Sequence, residues 1–166
     1  MSSRSKNRLM SRKGQRLLCG AAFVVSLGAV GIALYTQQRL GLDPCAWCVL
    51  QRLIFVAIAV AALPGLLIGT RLPSWISGAL MTLLALSGAA AALWQHFVAA
   101  NSQSCAMTLA DRIVRGSTLD EIAPTIFSAT ASCSQKAVLL GVPYEFYSLL
   151  LFVLLAGWSV WVMRRA

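Results

Sequence analysis

The sequence contains five cysteines, and four of them fall into two pairs that could carry thiol–disulfide chemistry. The first pair forms a C-x-x-C motif at Cys45 and Cys48, whereas Cys105 and Cys133 are separated by 27 residues. A disulfide stabilises a protein mainly by constraining the unfolded chain, and more so for a longer loop, so a bond that closes so short a segment adds little stability. The C-x-x-C motif therefore favours disulfide exchange over a structural bond.

The residues around the C-x-x-C motif are suited to stabilising a thiolate. Asp43 and Pro44 are typical of the N-cap and the first position of a helix, which would place Cys45 in the opening turn, where the helix dipole favours an anion. Arg52 follows Cys48 by four residues, so both side chains share one helix face and the guanidinium can stabilise a Cys48 thiolate. The arginine could instead extend towards lipid headgroups, and both interpretations stay open.

Two non-catalytic interpretations of the paired cysteines are also considered. Zinc binding is disfavoured because the gap between Cys105 and Cys133 is wide and because the chain has no second C-x-x-C motif and no histidine pair. Structural disulfides stay open as an alternative, since a long polar loop with little core of its own benefits from a crosslink. The fifth cysteine, Cys19, is interpreted as a small packing residue.

The elements that position these cysteines follow from the distribution of charge. Hydrophobic residues make up 58% of the 166 residues and charged residues only 11%, which is too apolar for an ordinary soluble domain. Uncharged stretches of 22, 18, 39 and 18 residues can each contain a membrane-spanning helix. They predict an all-α integral membrane protein, an antiparallel four-helix bundle that folds as a single membrane domain over residues 1–166. The predicted spans are residues 17–35, 47–68, 75–97 and 144–163, and Pro64 leaves open whether the second span ends near Leu63 or continues past a kink.

The basic residues predict the orientation of this bundle. Nine of the 14 Lys and Arg residues, and no acidic residue, lie at the two termini and in the connection between the second and third spans. The opposite side, which includes the outer loops 36–46 and 98–143, has no net charge. The positive-inside rule places both termini in the cytoplasm and both cysteine pairs on the other, oxidising side. A cleaved signal peptide is the alternative for residues 1–36, but an apolar run of about 19 residues favours an uncleaved anchor.

The segment at residues 43–52, with the pattern Asp-Pro-Cys-x-x-Cys-x-x-Gln-Arg, follows the first span, and a second cysteine pair lies in the long loop before the fourth. This arrangement resembles the DsbB family of disulfide bond formation proteins over nearly the whole chain. The resemblance implies a protein-dithiol:quinone oxidoreductase, a multi-pass protein of the bacterial cell inner membrane with its active cysteines on the periplasmic side. Such an enzyme reoxidises a DsbA-like periplasmic thioredoxin-fold protein and passes the electrons to ubiquinone or menaquinone.

The resemblance also implies roles for the four paired cysteines. Cys105 and Cys133 would form the disulfide that the partner's thiolate attacks, with Cys105 in the mixed disulfide. Cys45 would then exchange with this loop pair, and Cys48 would face the quinone. The electrons would therefore move from the loop pair to the C-x-x-C pair and from there to the quinone.

Two further residues acquire a possible role in quinone binding from the resemblance. Arg52 would polarise a quinone oxygen. His96, near the outer end of the third span, resembles a family histidine that lies near the quinone. An interfacial histidine that is hydrogen bonded to water or backbone is the alternative for this position.

Two other functions are kept as alternatives. A vitamin K epoxide reductase-like enzyme is also a quinone-linked helical bundle with two cysteine pairs, but that family has its C-x-x-C motif in the last helix. A non-catalytic scaffold or small transporter with structural disulfides is the more distant class. The spans contain few charged residues, which disfavours a transporter.

Overall fold

The computed structural model describes residues 11–41, 44–99, 109–117, 121, 123–127, 129, 138–139 and 141–166. In chain order its elements are α1 (Arg12–Leu40), α2 (Ala46–Ile68), α3 (Arg71–Phe97), α4 (Leu109–Gly116), α5 (Pro124–Phe127), β1 (Val138–Leu139), β2 (Val142–Pro143) and α6 (Tyr144–Arg165). Within the described residues, α1, α2, α3 and α6 are the four helices long and apolar enough to cross a membrane. The predicted all-α fold with four membrane-spanning helices is confirmed.

The first spanning helix is longer than its apolar run, so the predicted outer loop 36–46 is shorter in the structure. Gln37 and Arg39 end the apolar run, but both are good helix formers and α1 continues to Leu40. The helix stops at Gly41, whose φ of 62° is the left-handed conformation that commonly terminates a helix. The additional turn brings Gln37 to the level of the C-x-x-C helix, where it contributes to the site described below.

The second spanning helix passes through Pro64 and ends at Ile68, so the alternative of an end near Leu63 is wrong. Proline has no N–H to donate within a helix, and neighbouring helices commonly supply polar groups at such positions in membrane proteins. Here the N–H of Gly65 donates to Ser77 Oγ of α3 at 3.0 Å. This contact attaches the second half of α2 to α3.

The central helix of the bundle is α2, which packs against both α1 and α3, while α3 also packs against α6. Small residues are buried along α3 and allow its neighbours to approach closely: Ser74, Ser77, Gly78, Ala85, Gly88, Ala91 and Ala92. A Cβ atom at Gly88 would lie 2.4 Å from the Phe152 ring of α6. Phe152 in turn stacks on Phe55 of α2 with ring centroids 4.1 Å apart. Because α1 and α6 pack together less extensively, space is left between them.

The start of α2, the end of α3 and the start of α6 meet at one end of the bundle, which we call the cysteine end. The short helix α4 packs there against α2, with Ala110 and Val114 buried and Leu109 exposed. Helix α5 also contacts α2, and its Phe127 is buried. Strands β1 and β2 pair antiparallel and connect directly to α6. The described part of the long loop therefore covers the start of α2.

Candidate active site

The C-x-x-C motif begins helix α2. Cys45 is the N-cap residue, and its carbonyl oxygen accepts the first helical hydrogen bond from the Val49 N–H at 3.0 Å. Cys48 lies in the first turn, and the two Sγ atoms are 3.2 Å apart, well beyond the length of a disulfide bond of about 2.05 Å. The pair is thus held as a dithiol in close contact. The prediction that Pro44 is the first helical residue is wrong, because Cys45 has an extended backbone and the helix begins after it; Asp43 lies outside the described residues.

Apolar side chains surround this dithiol. Cys45 is 5% exposed and Cys48 is partly buried. The two sulfurs belong to an apolar cluster with residues of α2, α3, α4 and α5, which includes Trp47, Val49, Leu50, Ala91, Ala110, Val114 and Phe127. Electrostatic interactions and hydrogen bonds are stronger in such a low-dielectric environment than in water. The few polar groups that reach Cys48 therefore have a large influence on it.

One of these groups belongs to a chain of hydrogen bonds that joins three spanning helices. Ser148 of α6 donates to Gln51 Oε1 of α2. Gln51 Nε2 donates to Gln95 Oε1 of α3 at 2.8 Å, and Gln95 Nε2 donates to Cys48 Sγ at 3.3 Å. All three polar side chains are at most 9% exposed. This series of hydrogen bonds ends at Cys48 Sγ.

The guanidinium of Arg52 is buried and is held by two other segments. Its Nη1 donates to Gln37 Oε1 of α1 at 2.8 Å and to the Ile126 carbonyl of α5 at 3.2 Å. Its Nη2 lies 3.5 Å from the carbonyl oxygen of Ala33. The residue is only 6% exposed, so the side chain turns into the bundle instead of extending to the lipid surface. A cation is thereby fixed on the same helix as Cys48, one turn further on.

A cavity of about 240 Å³ lies beside Cys48 and Arg52, between α1, α2 and α6. Most of its lining is apolar or aromatic, and Cys48, Arg52 and Glu145 supply reactive or charged groups. Ile32 of α1 and Tyr147 of α6 also line it and are themselves exposed on the outside of the bundle. The cavity therefore lies where α1 and α6 are loosely packed, and its edge reaches the surface of the bundle.

The predicted site residue His96 lies near this cavity but is not part of its lining. Its Nδ1 atom is 2.9 Å from Oε1 of Glu145, which does line the cavity. The imidazole also makes edge contacts with Phe97 and Phe146, at centroid distances of 5.0 and 4.7 Å. The structure thus places Cys45 against Cys48, brings Cys48 and Arg52 to one cavity, and pairs His96 with Glu145, which lines the same cavity.

The other cysteines of the sequence lie elsewhere. Cys105 and Cys133, the predicted loop pair, lie outside the described residues. Cys19 of α1 is fully buried towards the other end of the bundle, and a Cβ atom at Gly65 would lie 2.5 Å from its Sγ atom. This tight contact supports the interpretation of Cys19 as a packing residue.

Sequence reasoning missed several residues of this site. Gln51 was part of the recognised pattern but received no role, and Gln95, Ser148 and Glu145 received none either. Two local signals pointed to them: Gln95 is a polar residue beside His96 at the end of an apolar run, and Glu145 is an acidic residue at the start of one. Their mutual contacts cross three helices and have no signature in the local spacing.

Four apolar helices and a buried dithiol beside a cavity define a multi-pass membrane protein with a thiol centre. The family described as disulfide bond formation protein DsbB matches residues 15–162. Disulfide bond formation protein B of Aromatoleum aromaticum is 32% identical over 155 residues, which cover 90% of this chain and 93% of that protein. The protein of the same name from Pseudomonas syringae pv. tomato is 36% identical over 135 residues, or 80% of each chain.

A third relative, disulfide bond formation protein B 1 of Pseudomonas savastanoi pv. phaseolicola, is 34% identical over 92% of this chain and 90% of its own length. The chain therefore belongs to the DsbB family of disulfide bond formation proteins, as its motif at residues 43–52 indicated. Membership implies an oxidoreductase role in disulfide bond formation.

Proposed function

We propose that this protein is a protein-dithiol:quinone oxidoreductase of the bacterial inner membrane, which reoxidises a DsbA-like periplasmic thioredoxin-fold protein. One observation carries the proposal: a thiol of the C-x-x-C pair, Cys48, and a buried cation, Arg52, line the same largely apolar cavity within a membrane bundle. A lipid-soluble quinone acceptor and a thiolate donor need this combination of an apolar site and a fixed positive charge.

The electron balance of the proposed reaction follows from the cysteine chemistry. The partner's dithiol is oxidised to a disulfide while the loop disulfide of Cys105 and Cys133 is reduced. This loop dithiol then reduces the disulfide of Cys45 and Cys48, and each exchange breaks one S–S bond and forms another. Reoxidation of the Cys45–Cys48 dithiol releases two electrons and two protons.

The cavity fits the headgroup of a ubiquinone or menaquinone, which accepts the two electrons and two protons when it is bound. Apolar walls from α1, α2 and α6 would enclose the ring, and the exposed edge near Ile32 and Tyr147 would accommodate a chain that stays in lipid. Arg52 would donate a charge-assisted hydrogen bond to an oxygen of the ligand. The carboxyl group of Glu145, also in the lining, is a group that can hold a proton at the same cavity.

The position of Cys45 supports the proposed order of transfer. Cys45 contacts Cys48 and is buried in the cluster with α4 and α5, which belong to the segment that also contains the loop cysteines. Cys48 packs against the same cluster but, unlike Cys45, also lines the cavity. Cys45 is therefore the member of the pair on the side of the long loop, and Cys48 is the member that lines the cavity. This arrangement suits exchange at Cys45 and transfer to the acceptor at Cys48.

Two observations favour this function over a vitamin K epoxide reductase-like enzyme. The C-x-x-C motif lies at the start of α2, not in the last helix, and the chain matches the DsbB family. The net charge on the two sides of the bundle supports cytoplasmic termini and a periplasmic cysteine end. The structural-disulfide alternative is tested directly by the experiment below.

Acid trapping and thiol alkylation of the purified full-length protein test the proposal. With excess reduced thioredoxin-fold partner and a water-soluble ubiquinone analogue, we expect continued partner oxidation and loss of the quinone absorbance. Without quinone, oxidation of two partner molecules per enzyme should leave both cysteine pairs reduced, and oxidation should then stop. Cys48→Ala should abolish quinone reduction, and Cys19→Ala is the matched control that should retain it. Cysteines whose redox state is unchanged under all these conditions would show structural disulfides instead.

A further inference from the structure

We infer that Gln95 is a positioning residue for the electron-donating dithiol: with Gln51 and Ser148 it fixes Cys48 Sγ as a hydrogen-bond acceptor and so favours its thiolate form. The inference rests on the proposed function for its biological meaning, since a thiolate at Cys48 is the electron donor in that reaction. Its structural basis is the chain of three hydrogen bonds that ends at Cys48.

In the structure, the hydrogen bonds of this chain all point towards Cys48. The Ser148 hydroxyl donates to the carbonyl oxygen of Gln51, which leaves the Gln51 NH2 group to face Gln95. A primary amide presents an acceptor on one side and donors on the other. In the structure Gln95 accepts from Gln51 through its oxygen and directs its NH2 group to Cys48. Turning either amide alone would place two donors or two acceptors against each other. Turning both would reverse the chain, with the Ser148 hydroxyl donating to the Glu145 carbonyl oxygen and the Cys48 thiol donating to Gln95. The sign of the pH shift in Gln95→Met distinguishes the two directions.

A sulfur that faces an N–H donor is best satisfied without its own proton. A thiolate accepts hydrogen bonds well, whereas a thiol is a weak acceptor and a weak donor. The bond from Gln95 is therefore stronger when Cys48 is ionised, and the low-dielectric surroundings increase the difference. Cys45, whose Sγ atom is 3.2 Å away, and the Arg52 guanidinium at the same cavity also act on Cys48, and both are kept in every variant of the test. Gln95 does not line the cavity, so it acts on the reaction only through the ionisation of Cys48.

The burial of these three hydrogen-bonded side chains indicates that they do more than hold the helices together. Gln51, Gln95 and Ser148 are 5%, 7% and 9% exposed and come from three different spanning helices. Buried polar groups are costly unless they are paired, and these three are paired in a sequence that leads to one sulfur. A purely structural contact also exists between α3 and α6, where Thr82 Oγ1 and Ser159 Oγ are 3.0 Å apart. Because Thr82 lies on the helix that carries Gln95, this contact provides a control away from Cys48.

The test measures the pH dependence of alkylation at Cys48 in the reduced full-length protein, resolved by peptide mass spectrometry. Gln95→Met keeps the side-chain length but removes the donor, so the midpoint pH for alkylation should rise by about 1 to 2 pH units. Gln51→Met should raise the midpoint less, because Gln95 keeps its NH2 group but loses the partner that orients it. Thr82→Val should leave the midpoint unchanged. Melting curves of all variants establish that each is folded.

An unchanged or lowered midpoint in Gln95→Met, or an equal shift in Thr82→Val, would overturn the inference. If Gln95→Met does not fold, the comparison of Gln51→Met with Thr82→Val decides in the same way. The readout does not depend on quinone. A protein that fails to reduce quinone but shows the midpoint shift would refute the proposed function and leave the role of Gln95 intact.

Discussion

His96 Nδ1 and Glu145 Oε1 are 2.9 Å apart, and this contact joins the end of α3 to the first turn of α6. The Glu145 side chain is 7% exposed and the His96 side chain 27%, so the carboxylate is the buried partner. The pair lies at the cysteine end of the bundle, with its carboxylate in the lining of the cavity. It connects the two helices at the level where a ligand would bind.

We predict that this contact contributes measurably to stability. Replacing one partner leaves the other buried or half-buried without its hydrogen bond, which costs about 1 to 3 kcal/mol. Melting of His96→Leu, Glu145→Leu and the double variant forms a double-mutant cycle, with an expected coupling of roughly 0.5 to 3 kcal/mol. Additive effects of the two substitutions would contradict a direct interaction.

The buried guanidinium of Arg52 predicts a specific defect in quinone use. A charge-assisted hydrogen bond contributes about 1.5 to 3 kcal/mol, so Arg52→Ala should raise the apparent KM for quinone by roughly 10- to 150-fold. Arg52→Lys should recover only part of the loss, because an ammonium group keeps the charge but cannot contact Gln37 and the Ile126 carbonyl with a planar fork.

Steady-state turnover at varied quinone measures this effect, and a single turnover of the fully oxidised enzyme without quinone is its control. The single turnover uses the loop pair and should proceed at nearly the unmodified rate. If Arg52→Ala slowed the steady-state reaction and the single turnover equally, Arg52 would have a structural role.

The two cysteine pairs are predicted to act in series. Cys133→Ala removes the resolving thiol, so Cys105 should remain linked to a reduced thioredoxin-fold partner in a mixed disulfide that is detectable on non-reducing gels. The variant with both Cys105→Ala and Cys133→Ala is the control and should trap no partner. Partner oxidation at the original rate by this double variant would eliminate the loop pair from the pathway.

The close approach of α3 and α6 predicts a position that is intolerant of any side chain. Gly88→Ala brings a Cβ atom within 2.4 Å of the Phe152 ring, which should cost about 1 to 3 kcal/mol. Gly28→Ala is the matched control, since a Cβ atom at Gly28 meets nothing within 4 Å. Thermal melting in detergent should therefore show a lower Tm for the first variant and little change for the second.

The orientation of the bundle is predicted from charge alone. A reporter that is active only in the cytoplasm should be active when it is fused after Arg165. A membrane-impermeant thiol reagent should label Cys105 and Cys133 in intact cells after reduction. An exported C-terminus would contradict both the orientation and the arrangement of four spans between cytoplasmic termini.

The sequence was sufficient for the spans and for one face of α2. Stretches without charge identify membrane helices because the bilayer penalises charge, and the spacing of Cys48 and Arg52 within one helix fixes their common face. Helix ends were harder to predict from the sequence, since Gln37 and Arg39 continue α1 after the apolar run has stopped. Gln95 could not be connected to Cys48, because that contact depends on how α3 is rotated against α2.

The loose packing of α1 against α6 has a kinetic consequence for any lipid-soluble ligand. A molecule that enters between Ile32 and Tyr147 would arrive by lateral diffusion within the membrane and would not cross an aqueous phase. Occupancy of the cavity would then follow the mole fraction of the ligand among the lipids. In detergent solution, adding more micelles at constant protein and ligand would dilute the ligand and lower the occupancy, although its bulk concentration stays the same.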